Sequence, residues 1–313
     1  MTDTTHWGAY IIRTLLYYEI FEHPLTADEL FYLLPRNSIT KASFLLILGQ
    51  LSGTGPIRFQ DGFYSLQQND ADLAGLRLRR ERLARRRLLV ARFMAHLIKR
   101  FPFVRGVFIS GDLSKGVANP KSDIDYVVVT APGRLWICRT LLVAFKKIAL
   151  LNSKKYFCLN YYLDTAHLLL DDHNYFTATE VAHLKPLFNS SLYLRYMNAN
   201  SWIKSFFPNY RIFALQHLRA NDRKSVLQSL LELPFKRSWA DRLDARLMEF
   251  MKRTWKSRYP EFDDATRERI FRCNISESRA YVGNFSEKVL GIYRRKLESR
   301  SLSPDFVRVD ASS

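Results

Sequence analysis

The stretch ISGDLSKGVANPKSDIDYVVVT, residues 109–130, contains the features that decide the fold of this chain. It opens with a Ser-Gly-Asp turn at residues 110–112 and closes with a β-branched hydrophobic run. Asp123 and Asp125 stand where that run begins. Residues two apart in a strand project on the same face, so the two carboxylates are predicted to lie side by side. Ile124, between them, is predicted to point into the core.

Size and charge set the first limits on function. The chain has 313 residues, which is enough for two domains and a sizeable core. It carries 48 basic against 30 acidic residues, a net charge of +18. This excess favours polyanionic partners such as nucleotides, nucleic acid or an anionic membrane surface. The alternative is a protein with many solvated arginine side chains.

Cysteine usage and hydropathy indicate the cellular setting. Cys138, Cys158 and Cys273 are widely spaced, which indicates neither a zinc site nor a disulfide framework. The first two lie in apolar runs and are predicted to be buried thiols. The N-terminus MTDTTHWGAY lacks the basic-then-apolar order of a signal peptide. The longest apolar runs are far shorter than the ~20 residues that span a bilayer, so we expect a cytoplasmic protein without membrane insertion.

Residues 1–69 are predicted to form a winged-helix-like domain, with three helices followed by a β-hairpin. Thr26 and Glu29 match a capping box at the second helix, and Asp-Gly at 61–62 is a strong hairpin turn signal. The third helix reads DNA in domains of this kind. Its body, SFLLILGQL, is mostly apolar. Packing against another domain or a protein partner is therefore the preferred interpretation, with DNA binding as the alternative.

Residues 70–102 are predicted to form a basic linker helix. Between residues 77 and 100 there are ten basic residues and one acid, Glu81. The predicted apolar stripe consists of Leu73, Leu76, Leu83, Leu88, Phe93 and Leu97. The outer arginines are interpreted as a solvated face. The functional alternative is a phosphate-binding face, for which residues 85–87 are the best candidates.

The remaining chain divides into an α/β core, residues 103–189, and a helical C-terminal region, residues 190–313. Strands are predicted at VRGVFIS, SDIDYVVVT and KKYFCLNYYLD, with a helix between the second and the third. The complete expectation is an α+β protein whose core contains a short mixed sheet flanked by helices. The C-terminal helices are expected to close a cleft over this core.

The paired aspartates and the turn before them predict a site for phosphate and metal. Two like charges this close require a compensating cation. Mg²⁺ takes one or two protein carboxylates together with phosphate oxygens, so Asp123 and Asp125 are predicted metal ligands. Gly111 lets the backbone approach a phosphate closely, and Lys115 adds positive charge. The alternative interpretation is a solvated strand edge or a pair of helix-capping acids.

This motif resembles that of the DNA polymerase β-like nucleotidyltransferase superfamily. The matching residues are Gly111-Asp112, Lys115-Gly116 and Ser122-Asp123-Ile124-Asp125. The likeness is greatest to small bacterial nucleotidyltransferase-domain proteins with an N-terminal winged helix, and it covers roughly residues 100–187. It implies transfer of a nucleoside monophosphate from a triphosphate, with ATP as the expected donor, to an unidentified hydroxyl acceptor. Pyrophosphate is released, and Mg²⁺ or Mn²⁺ is the implied metal.

The resemblance also implies roles for individual residues. Asp123 and Asp125 would hold the metal and act in catalysis. Contacts with the triphosphate are implied for Ser110, Gly111, Asp112, Ser114 and Lys115. Asn160 stands where the family has a third carboxylate, and Asp164, roughly 13 Å further along the strand, is the other candidate for that role. Asp112 replaces the family's serine.

These two departures from the motif favour a second hypothesis. A degenerate core would bind nucleotide without transferring it, and its winged helix would bind DNA or a protein partner.

Overall fold

The structure is a computed structural model that describes residues 2–35, 38–67, 72–153, 155–212, 224–236, 238–279 and 285–304. The fold is α+β, as predicted, with a five-stranded mixed sheet and a separate two-stranded hairpin surrounded by helices.

The regular elements of the described residues follow one another along the chain. They are α1 (Thr2–Glu19), α2 (Ala27–Tyr32), α3 (Lys41–Thr54), β1 (Ile57–Gln60), β2 (Phe63–Leu66), α4 (Leu73–Ile98), β3 (Val104–Ser110), α5 (Gly111–Ser114), β4 (Asp125–Thr130), α6 (Leu135–Ala149), β5 (Cys158–Asp164), α7 (Tyr175–His183), β6 (Lys185–Phe188), α8 (Ser190–Ala199), α9 (Val226–Glu232), α10 (Trp239–Arg258), α11 (Asp264–Phe271), β7 (Glu277–Arg279) and α12 (Phe285–Glu298). Two 3₁₀ turns lie at Ser201–Ser205 and Leu233–Lys236.

The N-terminal region contains three helices and a hairpin in the predicted order. The predicted capping box begins α2: the Thr26 hydroxyl accepts from the Glu29 backbone N–H, and the Glu29 carboxylate accepts from the Thr26 backbone N–H. Asp61 and Gly62 have φ of 51° and 85°, the left-handed values that a two-residue hairpin turn requires. These local predictions are confirmed, whereas the winged-helix assignment itself stays a prediction.

Helix α1 joins this region to the rest of the molecule through aromatic contacts. The Tyr17 ring packs edge-on against Tyr175 on α7 and Tyr293 on α12, with ring centroids 4.9 and 5.2 Å away. The Tyr18 hydroxyl lies 2.7 Å from Nε2 of His183. One hydrophobic cluster includes residues from the N-terminal helices, the sheet and the C-terminal helix. The N-terminal region therefore packs on the remainder of the chain and shares its core.

Helix α4 confirms the predicted long helix, but its packed face coincides only in part with the predicted apolar stripe. Its buried residues are Leu73, Ala74, Arg77, Ala84, Arg87, Ala91, Ala95 and Ile98. Phe93, predicted in the apolar stripe, is 60% exposed, and Leu89 is 66% exposed. The predicted stripe is confirmed in part, because Leu73 is buried and Leu83 and Leu88 pack partly buried against the core. Phe93 lies outside the packed face, half of whose buried residues are alanines that permit a close approach. Arg87 is also buried, which removes it from any solvated face.

The five strands have the order β6-β3-β4-β5-β7. Strand β3 pairs antiparallel with β4, and β4 pairs parallel with β5. The three predicted strands are present, but β4 begins only at Asp125, so Asp123 precedes the strand. Ile124 is fully buried, as predicted. Hydrophobic clusters cover both faces of the sheet, which explains the continuous apolar run of β4.

Two edge strands were not predicted. Strand β6 lies at one edge, and β7 lies at the other, within the region that was expected to be wholly helical. The sequence of β7 is only Glu-Ser-Arg, which has neither the length nor the hydrophobic alternation that predicts a strand. It forms because β5 presents an unpaired edge to it, which is a tertiary effect.

Two predictions from composition can be checked directly. Cys138 and Cys158 are buried free thiols, as predicted. Across the described part of the chain, every helix is either too short or too polar to cross a lipid bilayer.

Arg77 links α4 to the N-terminal region through buried polar contacts. Its side chain is 4% exposed. It donates hydrogen bonds to the carboxylates of Glu29 (2.7 Å) and Glu81 (2.9 Å) and to the Pro24 carbonyl (3.0 Å), and it also contacts His23. A buried charge held by this many partners is costly to remove, because the partners are left without a counter-charge.

We expect Arg77→Met to lower the free energy of unfolding by about 3 kcal/mol, since it breaks a buried ion pair. Urea denaturation followed by tryptophan fluorescence measures this change. Arg79→Met is the matched control, because the Arg79 side chain is 58% exposed on the same helix. The control is expected to stay within about 0.5 kcal/mol of the parent protein. Equal losses in the two variants would contradict this role for Arg77.

Candidate functional site

A cavity of about 950 Å³ lies where the sheet, the N-terminal helices and the C-terminal helix meet. The sheet contributes the ends of β3, β4 and β5. The N-terminal region contributes Tyr18 and His23, and α12 contributes Ser286 and Leu290. This volume is within the usual range for sites that bind small molecules and cofactors. The C-terminal helix thus forms one wall of the cleft, in agreement with the expectation from the sequence.

Most of the residues predicted for the site do line this cavity. They are Ser110, Gly111, Asp112, Lys115, Asp125 and Asn160. Asp123 does not line the cavity, but it lies close enough for its charge to influence Asp125. Ser114 and Asp164 do not line the cavity.

The Gly turn and the Asp125 carboxylate are held together by strand pairing. Ser110 pairs with Asp125 in the antiparallel register of β3 and β4. Gly111 follows with φ of +67°, a left-handed conformation that favours glycine. A Cβ atom on Gly111 would lie 3.0 Å from the Asp125 carboxylate oxygen Oδ2. Glycine is therefore required both by the turn and by the close approach of this carboxylate.

Four carboxylates share this end of the sheet, and we call Asp112, Asp123, Asp125 and Glu180 the acidic cluster. Burial raises the pKa of Asp125 to about 6. A hydrogen bond with the Cys158 thiol opposes that rise, and the negative charges of Asp123, Glu180 and Asp112 add to it. Crowding of like charges in a partly dry site favours the binding of a cation.

Glu180, on α7, is the member of the acidic cluster that the sequence did not predict. Its carboxylate oxygen Oε1 lies 2.5 Å from the Lys115 ammonium, and both residues line the cavity. Nothing in the sequence around Glu180 distinguishes it from an ordinary helix acid. Its position depends on the connection from α7 to β6, which folds this helix against the sheet.

The carboxylate of Asp112 has a local hydrogen-bond partner. The side-chain amide of Asn119 donates a hydrogen bond of 3.1 Å to its Oδ2. This contact orients the carboxylate and partly offsets its charge. Ser114 is fully buried, and its hydroxyl donates to the Gly111 carbonyl at 2.7 Å. Ser114 therefore stabilises the Gly111 turn from inside the protein. The predicted contact of Ser114 with the triphosphate is corrected for this reason.

Arg87 holds the loop that leads into the aspartate pair. Its guanidinium donates to the Pro120 carbonyl at 2.8 Å and to the Ser122 hydroxyl at 3.1 Å, and it also contacts the Ser122 carbonyl. The Ser122 hydroxyl in turn accepts from the Asn119 backbone N–H. Arg87 is therefore a positioning residue for Asp123 and not a residue that faces phosphate in solvent.

The two candidates for the third carboxylate position occupy different places. Asn160 lines the cavity, and its side-chain amide donates to the Cys158 sulfur at 2.9 Å. Asp164 pairs with Thr130, whereas Cys158 pairs with Asp125, so Asp164 lies at the opposite end of β4 from the site. The prediction for Asp164 is corrected for this reason.

Asp164 has a structural role instead. Its buried carboxylate accepts hydrogen bonds of 2.9 Å from the backbone N–H groups of Ala166 and His167, and it lies 2.8 Å from Nδ1 of His167. These contacts close the turn after β5.

The oxygen donors predicted for a metal are those of Asp123 and Asp125, and the carboxylates of Asp112 and Glu180 line the same cavity. Among the residues described, no three His, Cys, Asp or Glu side chains are arranged to enclose a metal ion. Two neighbouring carboxylates still suit Mg²⁺, which commonly completes its coordination with water and substrate phosphates. The residues present therefore fit a metal that is bound together with a phosphorylated substrate.

The chain matches no protein-family model, no curated protein and no solved structure. The likeness to the DNA polymerase β-like superfamily accordingly rests on the motif described above. Any function must be argued from the geometry and charge of the cleft.

We expect Gly111→Ala to lower the free energy of unfolding by about 1–2 kcal/mol, because alanine is strained at positive φ. The new methyl group also has to displace the Asp125 carboxylate. Gly49→Ala is the matched control, since Gly49 lies in α3 with open space around it. The control should raise stability by up to about 1 kcal/mol. Thermal denaturation of both variants measures these changes. Similar shifts of the melting temperature in the two variants would refute the proposed close contact.

The raised pKa of Asp125 predicts a specific pH dependence of stability in the metal-free protein. Its pKa is about 6 in the folded state and about 4 in the unfolded state. The proton on this carboxyl therefore stabilises the folded state fully below about pH 4, and that stabilisation is lost as the pH rises through about 6. Asp125→Asn should remove this loss, which is on the order of 2 kcal/mol.

Urea denaturation in the presence of a chelator, from acidic to neutral pH, measures this effect. Asp61→Asn, on the exposed hairpin turn, should keep the parental pH dependence. If Asp125→Asn also keeps it, the carboxyl is not perturbed as described.

Proposed function

We propose that this protein is a metal-dependent nucleotidyltransferase. It would transfer a nucleoside monophosphate from a nucleoside triphosphate, with ATP as the expected donor, to a hydroxyl acceptor. Pyrophosphate is the second product. Mg²⁺ or Mn²⁺ is the metal of this proposal.

A single observation carries the proposal. The Asp125 carboxylate stands against the left-handed Gly111 turn and lines a cavity of about 950 Å³ together with Asp112 and Glu180. Crowded carboxylates favour a divalent cation, and a glycine turn leaves the backbone accessible to phosphate oxygens. A metal bound to a triphosphate is the ligand that suits both the carboxylates and the glycine turn.

The chain's own residues have separate roles in this proposal. Asp123 and Asp125 hold the metal, whose charge stabilises the phosphates and whose position aligns the reacting oxygens when it is bound. The backbone around Ser110 and Gly111 contacts the triphosphate, and Lys115 adds a positive charge. Arg87 keeps the loop before Asp123 in place.

In the proposed reaction the acceptor hydroxyl oxygen bonds to the α-phosphorus. The bond from that phosphorus to the bridging oxygen of the β-phosphate breaks, and pyrophosphate leaves with the electron pair. The hydroxyl proton passes to a carboxylate. Glu180 is the group we assign to this role, because it lines the cavity on the helix opposite the strands that carry Asp125 and Asn160. Glu180 would thus supply the third carboxylate of the site, because residue 160 is an asparagine and carries an amide instead.

Pyrophosphate release tests the proposal. The full chain is incubated with each nucleoside triphosphate and Mg²⁺ or Mn²⁺, with cell extract as a pooled source of acceptors. We expect Asp125→Asn to reduce the rate by about 100-fold or more, since a charge contact to the transition state is lost. Glu180→Gln should cause a loss of about 100-fold if Glu180 accepts the proton. The control Asp61→Asn should retain the parental rate.

The alternative function is nucleotide binding without transfer, which the amide of Asn160 favours. Binding of nucleotide is measured separately by isothermal titration calorimetry, with the same variants. Binding that depends on Asp125, together with no pyrophosphate release from the parent protein, would reject the transferase and support the alternative. Absence of both would reject the site itself.

A further inference from the structure

The outer face of α4 carries a row of arginines that has no role inside the molecule. We define the arginine stripe as the exposed residues Arg79, Arg82, Arg85, Arg86 and Arg92 of α4 together with Arg100, which lies two residues beyond the end of the helix. Arg79 lies 3.6 Å from Asp72, and Arg100 donates to His96. Within the described part of the chain, the other four form neither an ion pair nor a hydrogen bond.

The inner arginines of the same helix behave differently. Arg77 and Arg87 are buried and hydrogen-bonded, and Arg80 binds the carbonyls of Phe21 and Glu22. Arginine on α4 is thus used for structure wherever it faces inward. Outer arginines three or four residues apart repel one another and weaken the helix. The fold gains nothing from their clustering, which points to an external partner with negative charge.

The shape of the stripe indicates an elongated partner. Residues 79 to 100 span about 30 Å along the helix at 1.5 Å per residue. A single phosphate contacts only a small part of that length, whereas a chain of phosphates follows it. Leu89 and Phe93 are exposed in the same face, between the arginines. An exposed aromatic ring within a basic groove or stripe is the arrangement on which unpaired bases stack.

The alternative polyanionic surfaces fit less well. A helix that lies in a membrane buries a continuous apolar face, but the apolar face of α4, from Leu73 to Ile98, is already packed inside the protein, and arginines separate the exposed Leu89 and Phe93 from any such face. Helix α3, the reading helix of a winged-helix domain, exposes Leu45 and Leu46. Its Lys41 is paired with Asp28 at 2.7 Å. Of these two helices, α4 and not α3 therefore carries the basic surface.

We propose that the arginine stripe binds a single-stranded polynucleotide, with the guanidinium groups on the phosphates and Phe93 against a base. RNA and single-stranded DNA share this chemistry. The inference is independent of the proposed transferase activity, because it concerns a different surface and requires neither metal nor nucleoside triphosphate.

Fluorescence anisotropy with labelled oligouridine and oligothymidine of about 16 nucleotides tests the proposal on the full chain. The test variant replaces Arg82, Arg85, Arg86 and Arg92 with glutamine. We expect its Kd to rise at least tenfold at about 100 mM salt. The slope of log Kd against log salt should fall by about 2 to 3, since each lost phosphate contact contributes about 0.7.

A second variant and a matched control separate stacking from general charge. Phe93→Ala should weaken binding about tenfold and leave the salt slope unchanged, because stacking releases no counterions. The control replaces four exposed arginines of α10, namely Arg242, Arg246, Arg253 and Arg258, with glutamine. It removes the same charge and should bind like the parent protein. Circular dichroism confirms that each variant is folded.

Several outcomes would overturn the proposal. These are equal losses in the test variant and the α10 control, tighter binding of a duplex than of either single strand, or binding to phosphatidylserine vesicles with no binding of oligonucleotide. If both single strands bind through the arginine stripe, the ratio of their two Kd values identifies RNA or single-stranded DNA as the preferred ligand.

Discussion

The crowding of carboxylates at one end of the sheet is the constraint on which the cleft depends. Burial raises the pKa of Asp125 to about 6, and the negative charges of Asp123, Glu180 and Asp112 contribute to that rise. The fold offsets this repulsion only in part, through the contacts of Lys115 with Glu180 and of Asn119 with Asp112. A cation bound in the cleft would relieve the remaining repulsion. The crowding of carboxylates therefore reduces the stability of the fold and at the same time supports the proposed chemistry.

Helix α4 connects this constraint to the rest of the molecule. Its inner arginines hold the N-terminal region and the loop before Asp123, while its small buried alanines let the helix pack closely. Its outer arginines remain free for a polyanion in the further proposal. The arginines of α4 thus fall on two faces of the helix. The inner face has a structural role, and the outer face is the one proposed to bind a partner.

The sequence predicted those parts of the fold and site that depend on near neighbours. The capping box at Thr26, the Asp-Gly hairpin turn and the burial of Ile124 follow from contacts within a few residues, and all are present. The short sequence of β7 and the isolated acid Glu180 carry no local signal. Both owe their positions to strands or helices that are far away along the chain.

By itself, the sequence determined that the glycine turn ends one strand and that Asp125 begins another, because turn chemistry and the start of a hydrophobic run are local properties. Only the tertiary structure decided which further groups join them. Register pairs Asp164 with Thr130 and so keeps it away from the cleft, although it lies on the same strand as Asn160. Packing likewise decided that Arg87 turns inward and Phe93 outward, because burial depends on how closely a neighbouring surface can approach and not on hydrophobicity alone.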